Sequence, residues 1–310
     1  MSHGPAVWIG FTVAVVGLMA LDLGVLNRRS HVLTLREAAA WSIGWISLAM
    51  LFGVLLLFRE GTRHALEFYT GYLIELSLSV DNLFVFILVF QYFAVPAALQ
   101  PRVLKWGIVG AIIMRAMMIG LGALLISRFE WVIFVFGGIV ILTGIKMFRS
   151  GEVRIEPEKN PVVRLAQRVL PFSSAYDGQR FLTRTLTGWR ATPLLLVLIV
   201  IETTDLVFAV DSIPAIFSVT RDPFIVYTSN VFAILGLRSL FFILAGMMDK
   251  FEYLKPGVAV ILVFVGLKMI LSHWIHLPIA VSLLIILATL TTAVLFSVGK
   301  ARGQGPGTRA

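Results

Sequence analysis

The chain has 310 residues, 58% of them hydrophobic and only 14% charged, with a net charge of +9 and no cysteine. A soluble domain carries about a quarter charged residues, so this composition excludes an ordinary globular protein, and the missing thiols exclude disulfides and thiolate metal sites. The apolar residues fall in repeated runs of about 20, the length that crosses a hydrocarbon core, and the basic residues lie mostly in the loops on one side of them, so the partner of that charge is a lipid bilayer and not nucleic acid.

Nine spans are predicted, at about 7–26, 39–58, 69–93, 103–126, 131–148, 192–218, 224–247, 254–271 and 277–298. The fold class is therefore all-α, a polytopic transmembrane bundle forming a single membrane domain. The first apolar run begins near Ala6 without a basic n-region, so no cleavable signal peptide is expected. Loops after odd-numbered spans, with the span ends that adjoin them and the C-terminal tail, hold 19 of the 26 Lys and Arg. The opposite side holds Arg59, Arg63, Arg128 and Arg221. The positive-inside rule places the N-terminus outside and the C-terminus in the cytoplasm of an inner (plasma) membrane.

The 149–191 loop is the one sizeable polar segment and the place to expect protein partners. Asn160-Pro161 reads as an N-cap followed by proline at the first helical position. Val162, Leu165, Val169 and Leu170 then form an apolar stripe, with Arg164 and Arg168 opposite, as in a cytosolic amphipathic helix lying on the membrane or on the bundle. Phe181 to Arg184 and Thr187 to Trp189 suit a short hairpin, and the tail from Gly299 to Ala310 reads as disordered. Trp106 and Trp131 read as interface anchors, and Lys146 and Lys268 as snorkelling residues.

The strongest organising signal is self-similarity. Glu75-x5-Asp81-Asn82 in span 3 matches Asp205-x5-Asp211-Ser212 in span 6, and Arg115 in span 4 matches Arg238 in span 7. Phe129-Glu130 precedes span 5 as Phe251-Glu252 precedes span 8, and each leads to Gly-Ile-Lys-Met at 144–147 or Gly-Leu-Lys-Met at 266–269. A repeat of three spans reverses direction when it recurs. Residues 69–148 and 192–271 are thus expected to form an inverted pair with a substrate site at the midplane, the architecture of many secondary transporters.

Chemistry concentrates there. An acid at the centre of a membrane helix costs roughly 2.5–3.5 kcal/mol on insertion scales, yet Glu75, Asp81, Glu202, Asp205 and Asp211 all fall within spans 3 and 6. With Asn82 and Ser212 they form a hard oxygen-donor set, which suits Mn²⁺, Mg²⁺ or Ca²⁺ as a transported substrate, with no permanently bound cofactor. Arg115 and Arg238 supply compensating charge. Five ionised acids would exceed these two cations, so some are expected to exchange protons for metal. Residues six apart on a helix are about 240° out of phase: Glu75 shares a stripe with Ser79 and Asn82, and Asp205 with Glu202 and Ser212, while Asp81 and Asp211 do not. Either the helices break near those two aspartates, as Pro214 suggests for span 6, or the acids face different partners. Met114, Met117 and Met118 are better read as packing than as thioether ligands, and His273 and His276 as interfacial residues beside Trp274.

The segment from Glu75 to Asn82, the run from Glu202 to Pro214, and the run from Thr228 to Arg238 resemble the TerC family of membrane proteins. The likeness extends from Asp22-Leu-Gly-Val to about span 9. That family, named for tellurite resistance and near the LysE transporter superfamily, includes Alx-type manganese exporters. The resemblance implies Mn²⁺ efflux and adds Asp22 to the functional set. A membrane scaffold or metal-delivery partner in metal or tellurite stress, without transport of its own, is the alternative. An intramembrane aspartyl protease is not expected, because its Gly-x-Gly-Asp signature is absent and Tyr-Asp occurs only at Tyr176-Asp177, in the polar loop.

Overall fold

The computed structural model describes residues 4–20, 34–129, 131–149, 161–173, 175–185, 188–246, 253–271 and 277–303. They form α1 (Pro5–Ala20), α2 (Leu35–Glu60), α3 (Thr62–Tyr92), α4 (Gln100–Arg128), α5 (Val132–Arg149), α6 (Pro161–Val169), strands β1 (Leu182–Thr185) and β2 (Gly188–Ala191), α7 (Pro193–Phe217), α8 (Pro223–Ala245), α9 (Leu254–Leu271) and α10 (Ile279–Gly303). By length and composition, α2, α3, α4, α7, α8 and α10 can cross a membrane, and α1, α5 and α9 are apolar but shorter. At 1.5 Å per residue a 16-residue helix is about 24 Å long, less than the roughly 30 Å hydrocarbon core. The chain is an all-α multi-pass membrane protein.

Local chemistry sets the helix ends. Thr34 and Glu37 form a reciprocal capping box on α2. Gly61, at φ 92°, turns the chain from α2 into α3 through backbone that favours glycine. Pro193 and Pro223 open α7 and α8, and the Asp222 carboxylate caps α8 by accepting from the Phe224 N–H at 2.9 Å.

One alternative left open for the chain's course is decided, and one expectation is corrected. Neither site helix breaks: α3 is continuous through residues 81 and 82, and α7 through residue 211 and Pro214. Pro214 removes the one helical bond that an N–H there would give to the Val210 carbonyl, and it falls in the last turn of α7, so only three residues of helix follow it. The tail is helical as far as Gly303, with the Lys300 ammonium 5.5 Å from the centre of the Tyr253 ring; residues 304–310 lie outside the described part. The hairpin and the amphipathic helix are present as β1–β2 and α6, although Asn160 lies outside the described residues.

The buried residues form two apolar clusters. One holds Ile74 and Leu78 of α3, Ile119 and Ile126 of α4, and Ala209 and Ile213 of α7. The other holds Leu83 and Phe90 of α3, Leu104 and Ile108 of α4, and Leu194 and Val200 of α7, and is extended by Phe172, Tyr176 and Phe181 from the 171–191 segment. The Tyr176 hydroxyl donates to the Phe93 carbonyl at 2.8 Å, and the Arg102 guanidinium lies 5.4 Å from the centre of the Phe181 ring, so this segment closes over the adjoining ends of α3 and α4. Along α4 and α7, positions 115 and 205 fall between the two clusters.

The closest backbone approach joins α5 to α9. A β-carbon on Gly266 would stand 2.8 Å from the Gly137 carbonyl oxygen, and one on Gly144 would stand 3.0 Å from the Ala259 carbonyl oxygen. The two contacts define an antiparallel pair. They also exchange under the matched numbering, because Gly144 corresponds to Gly266 and Gly137 to Ala259 at the same offset. Small residues allow this approach between apolar helices, whose association in lipid is driven largely by packing. Gly137→Leu and Gly266→Leu should each destabilise the bundle by about 1–3 kcal/mol or more through overpacking. Thermal unfolding in detergent checks this, with Gly138→Leu, at a position with open space around it, as the control expected to stay near wild type.

Candidate functional site

Four helices converge on one buried guanidinium. Arg115 of α4 is 1% exposed. Its Nη1 donates to Glu75 Oε1 on α3 and, at 2.6 Å, to Asn230 Oδ1 on α8. Its Nη2 donates to Asp205 Oδ1 on α7 at 3.3 Å. The Asn82 amide donates to that same Asp205 oxygen at 3.2 Å, and the Ser79 hydroxyl to Glu75 Oε1 at 3.4 Å. Glu75, Ser79, Asn82, Asp205 and Asn230 are all buried. Glu75, Ser79 and Asn82 reach the same place because they share the α3 stripe predicted from their spacing.

The cluster is not internally satisfied. Glu75 Oε2, Asp205 Oδ2, Asn82 Oδ1 and Ser212 Oγ are buried and have no hydrogen-bond partner among the described residues. Each carboxylate thus gives one oxygen to Arg115 and keeps the other uncommitted. Ser212 lies two helical turns beyond Asp205 on its stripe. Buried polar atoms left without partners are costly and call for an explanation. A hard cation, which binds carboxylate, amide and hydroxyl oxygens, is a ligand that this donor set fits. Arginine stays charged at any accessible pH, so two ionised carboxylates around it leave one negative charge in excess.

The remaining predicted residues are placed differently. Glu202, half-buried on α7, puts its carboxylate against Gly110 of α4, where any β-carbon would overlap it. It has no hydrogen-bond or salt-bridge partner among the described residues, and of the Arg115 cluster it feels the charge of Asp205, one turn along α7. Arg238 is buried in α8 and engaged in an interaction of its own. The side chains of Asp81 and Asp211 lie outside the described set, though both positions are helical, and Asp22 lies wholly outside the described residues, as do His273 and His276. Among the described residues, no three acidic or histidine side chains converge as a metal group. Met117 is exposed, and Met118 packs against the first apolar cluster.

Two participants were missed by sequence reasoning. Asn230, Arg115's neutral acceptor, is uncharged; its only signal was the polar run Thr228-Ser229-Asn230 inside an apolar span. Glu67 is a second buried carboxylate, away from the cluster. It accepts from Arg63 Nε at 2.9 Å and from the Thr220 hydroxyl at 2.7 Å, tying the start of α3 to the α7–α8 connection.

Removing the central charge should be far more damaging than removing its neutral acceptor. Arg115→Met strands two buried carboxylates and is expected to cost about 3–5 kcal/mol. Asn230→Ala removes one hydrogen-bond partner and is expected to cost about 1–3 kcal/mol. Unfolding of the two variants side by side in detergent should rank them in that order. Equal losses would mean that the carboxylates do not depend on Arg115.

Comparison with known proteins places this arrangement among relatives. Residues 60–304 match the model of the integral membrane protein TerC family. An uncharacterized membrane protein, STKORF319, of Myxococcus xanthus is 48% identical over 298 residues, covering 96% of this chain and 93% of that protein. A protein of Escherichia coli K12, provisionally named membrane-bound redox modulator Alx, is 49% identical over 288 residues, 90% of each chain. A membrane protein of Rickettsia felis is 40% identical over 291 residues, covering 94% of this chain and 97% of its own. No solved structure matches. The chain belongs to the TerC family.

Proposed function

We propose that this TerC-family chain is a secondary transporter that exports a divalent cation, with Mn²⁺ as the first candidate and Ca²⁺ or Mg²⁺ as alternatives, by proton-coupled alternating access. The observation that carries the reading is the set of uncommitted buried oxygens on Glu75, Asn82, Asp205 and Ser212, contributed by α3 and α7 around Arg115. In this scheme Glu75 and Asp205 bind the cation through the oxygens that Arg115 leaves uncommitted. Asn82 and Ser212 complete the shell, and Asp81 and Asp211 add charge as it forms. Arg115 and Arg238 keep the acids compensated between cycles. The exchanged proton is assigned to Glu202, which has its own seat at Gly110 and no partner among the described residues.

Nine spans and an inverted repeat complete the architecture. The reciprocal contacts of Gly137 with Gly266 and of Gly144 with Ala259 support a pseudo-two-fold axis between α5 and α9. The N-terminus is assigned to the outside of the inner membrane and the 149–191 loop to the cytoplasm, on the Lys/Arg bias. The name carried by the Alx relatives suits the same chemistry. A chain with no cysteine has no thiol to offer, but a protein that sets the level of a redox-active metal changes redox balance without carrying a redox group.

Purified protein in proteoliposomes tests the reading. Wild type should take up Mn²⁺ against its gradient when a pH gradient is imposed. Asp205→Asn and Asp81→Asn should abolish flux and weaken Mn²⁺ binding at least tenfold while the protein stays folded. Glu202→Gln should retain binding but lose the response to the pH gradient. Binding without flux in the wild type would favour the metal-delivery reading, and the absence of both would end the transport proposal. For orientation, Gln179→Cys should resist impermeant thiol reagents applied to intact cells; ready labelling would reverse the topology.

A further inference from the structure

The short helix α6 has more apolar surface than the protein covers. At 100° per residue, Leu165, Val169, Val162, Ala166, Leu170 and Val163 fall in one arc of about 160°, and Arg164, Arg168 and Gln167 occupy the rest. Leu170 belongs to the arc because its N–H donates to the Ala166 carbonyl at 2.9 Å, continuing the last turn. Among the described residues, one edge of the arc is packed. Val163 is 1% exposed and joins the apolar cluster that contains Leu194, Leu196 and Val197, the first buried residues of α7. At the other edge, Leu165 is 61% and Val169 69% exposed.

This contact fixes the depth of α6. It lies beside the point where α7 enters its apolar span, at the level of the membrane interface. An apolar edge at that level has one apolar phase within reach, the acyl boundary of the bilayer. The opposite face carries Arg164 and Arg168, whose charge complements anionic headgroups. An apolar stripe flanked by arginine is the composition of a helix lying in the interface plane.

We infer that α6 is an interfacial helix that docks the 149–191 loop onto anionic phospholipid, with Leu165 and Val169 seated at the acyl boundary and Arg164 and Arg168 among the headgroup phosphates. Neither stripe nor charge depends on what the bundle carries. Docking would hold the connection into α7, the helix of Asp205 and Glu202, against the membrane surface.

The absence of native cysteine makes the test clean, since one introduced thiol is unique. Leu165→Cys and, on the polar face, Gln167→Cys are spin-labelled in the full chain and reconstituted into phosphatidylcholine vesicles with or without phosphatidylglycerol. Relaxation by oxygen, which concentrates in lipid, is compared with relaxation by a water-soluble nickel chelate. The label at 165 should show a several-fold higher oxygen-to-nickel ratio than the label at 167. The difference should grow with phosphatidylglycerol and shrink in high salt or with Arg164→Gln/Arg168→Gln. A label at 165 as open to nickel as that at 167 overturns the inference. So does a label shielded from both reagents, which would mean a protein partner on the stripe. Lipid exposure independent of phosphatidylglycerol would overturn the anionic preference.

Discussion

The structure depends on a charge that cannot be removed. Arg115 stays protonated at any accessible pH, and it sits where a charge costs roughly 2.5–3.5 kcal/mol on insertion scales. Its acceptors come from α3, α7 and α8. Bringing Glu75, Asp205 and Asn230 to one guanidinium sets the vertical register of four helices at a single level. Lipid tails are as apolar as leucine side chains, so the hydrophobic effect does not choose between alternative registers of apolar helices in a membrane. The polar cluster makes that choice, and the two apolar clusters then fill above and below it.

The six long apolar helices were legible because apolar length is a direct consequence of bilayer thickness. The stripe of Glu75, Ser79 and Asn82 was legible because 3.6 residues per turn fixes phase. The same phase posed a question about Asp81 that sequence left open. Continuous α3 and α7 answer it: the six-residue spacing places positions 81 and 211 on a different face from Glu75 and Asp205. Other features could not be read in advance. Glu202 shares a stripe with Asp205, yet its carboxylate rests against Gly110, and which glycine of α4 would face it is a matter of packing, not pattern. Asn230 carries no charge to mark it, and its role exists only because Arg115 lies opposite. Glu67 lies just before the predicted third span, and the partner it accepts from, Thr220, is 153 positions away.

The two kinds of helix contact in the bundle differ in what can be exchanged. Between α5 and α9 the glycines bring backbone against backbone, and such a contact has no substitute partner if the helices part. Around Arg115 the contacts are side-chain hydrogen bonds, and four of the oxygens nearby are uncommitted. A cation bound as proposed takes the oxygens of Glu75 and Asp205 that Arg115 leaves uncommitted, and Asn230 remains as an acceptor for the arginine. In the proposed cycle the α5–α9 pair is therefore the fixed element. Motion falls to α3, α4, α7 and α8, whose polar ties can be remade in a second arrangement. A site built from apolar packing alone would have no such second arrangement, and one in which every polar atom was satisfied would gain nothing from a cation. In that cycle, the incomplete satisfaction at Arg115 lets the same residues hold the bundle together and change its state.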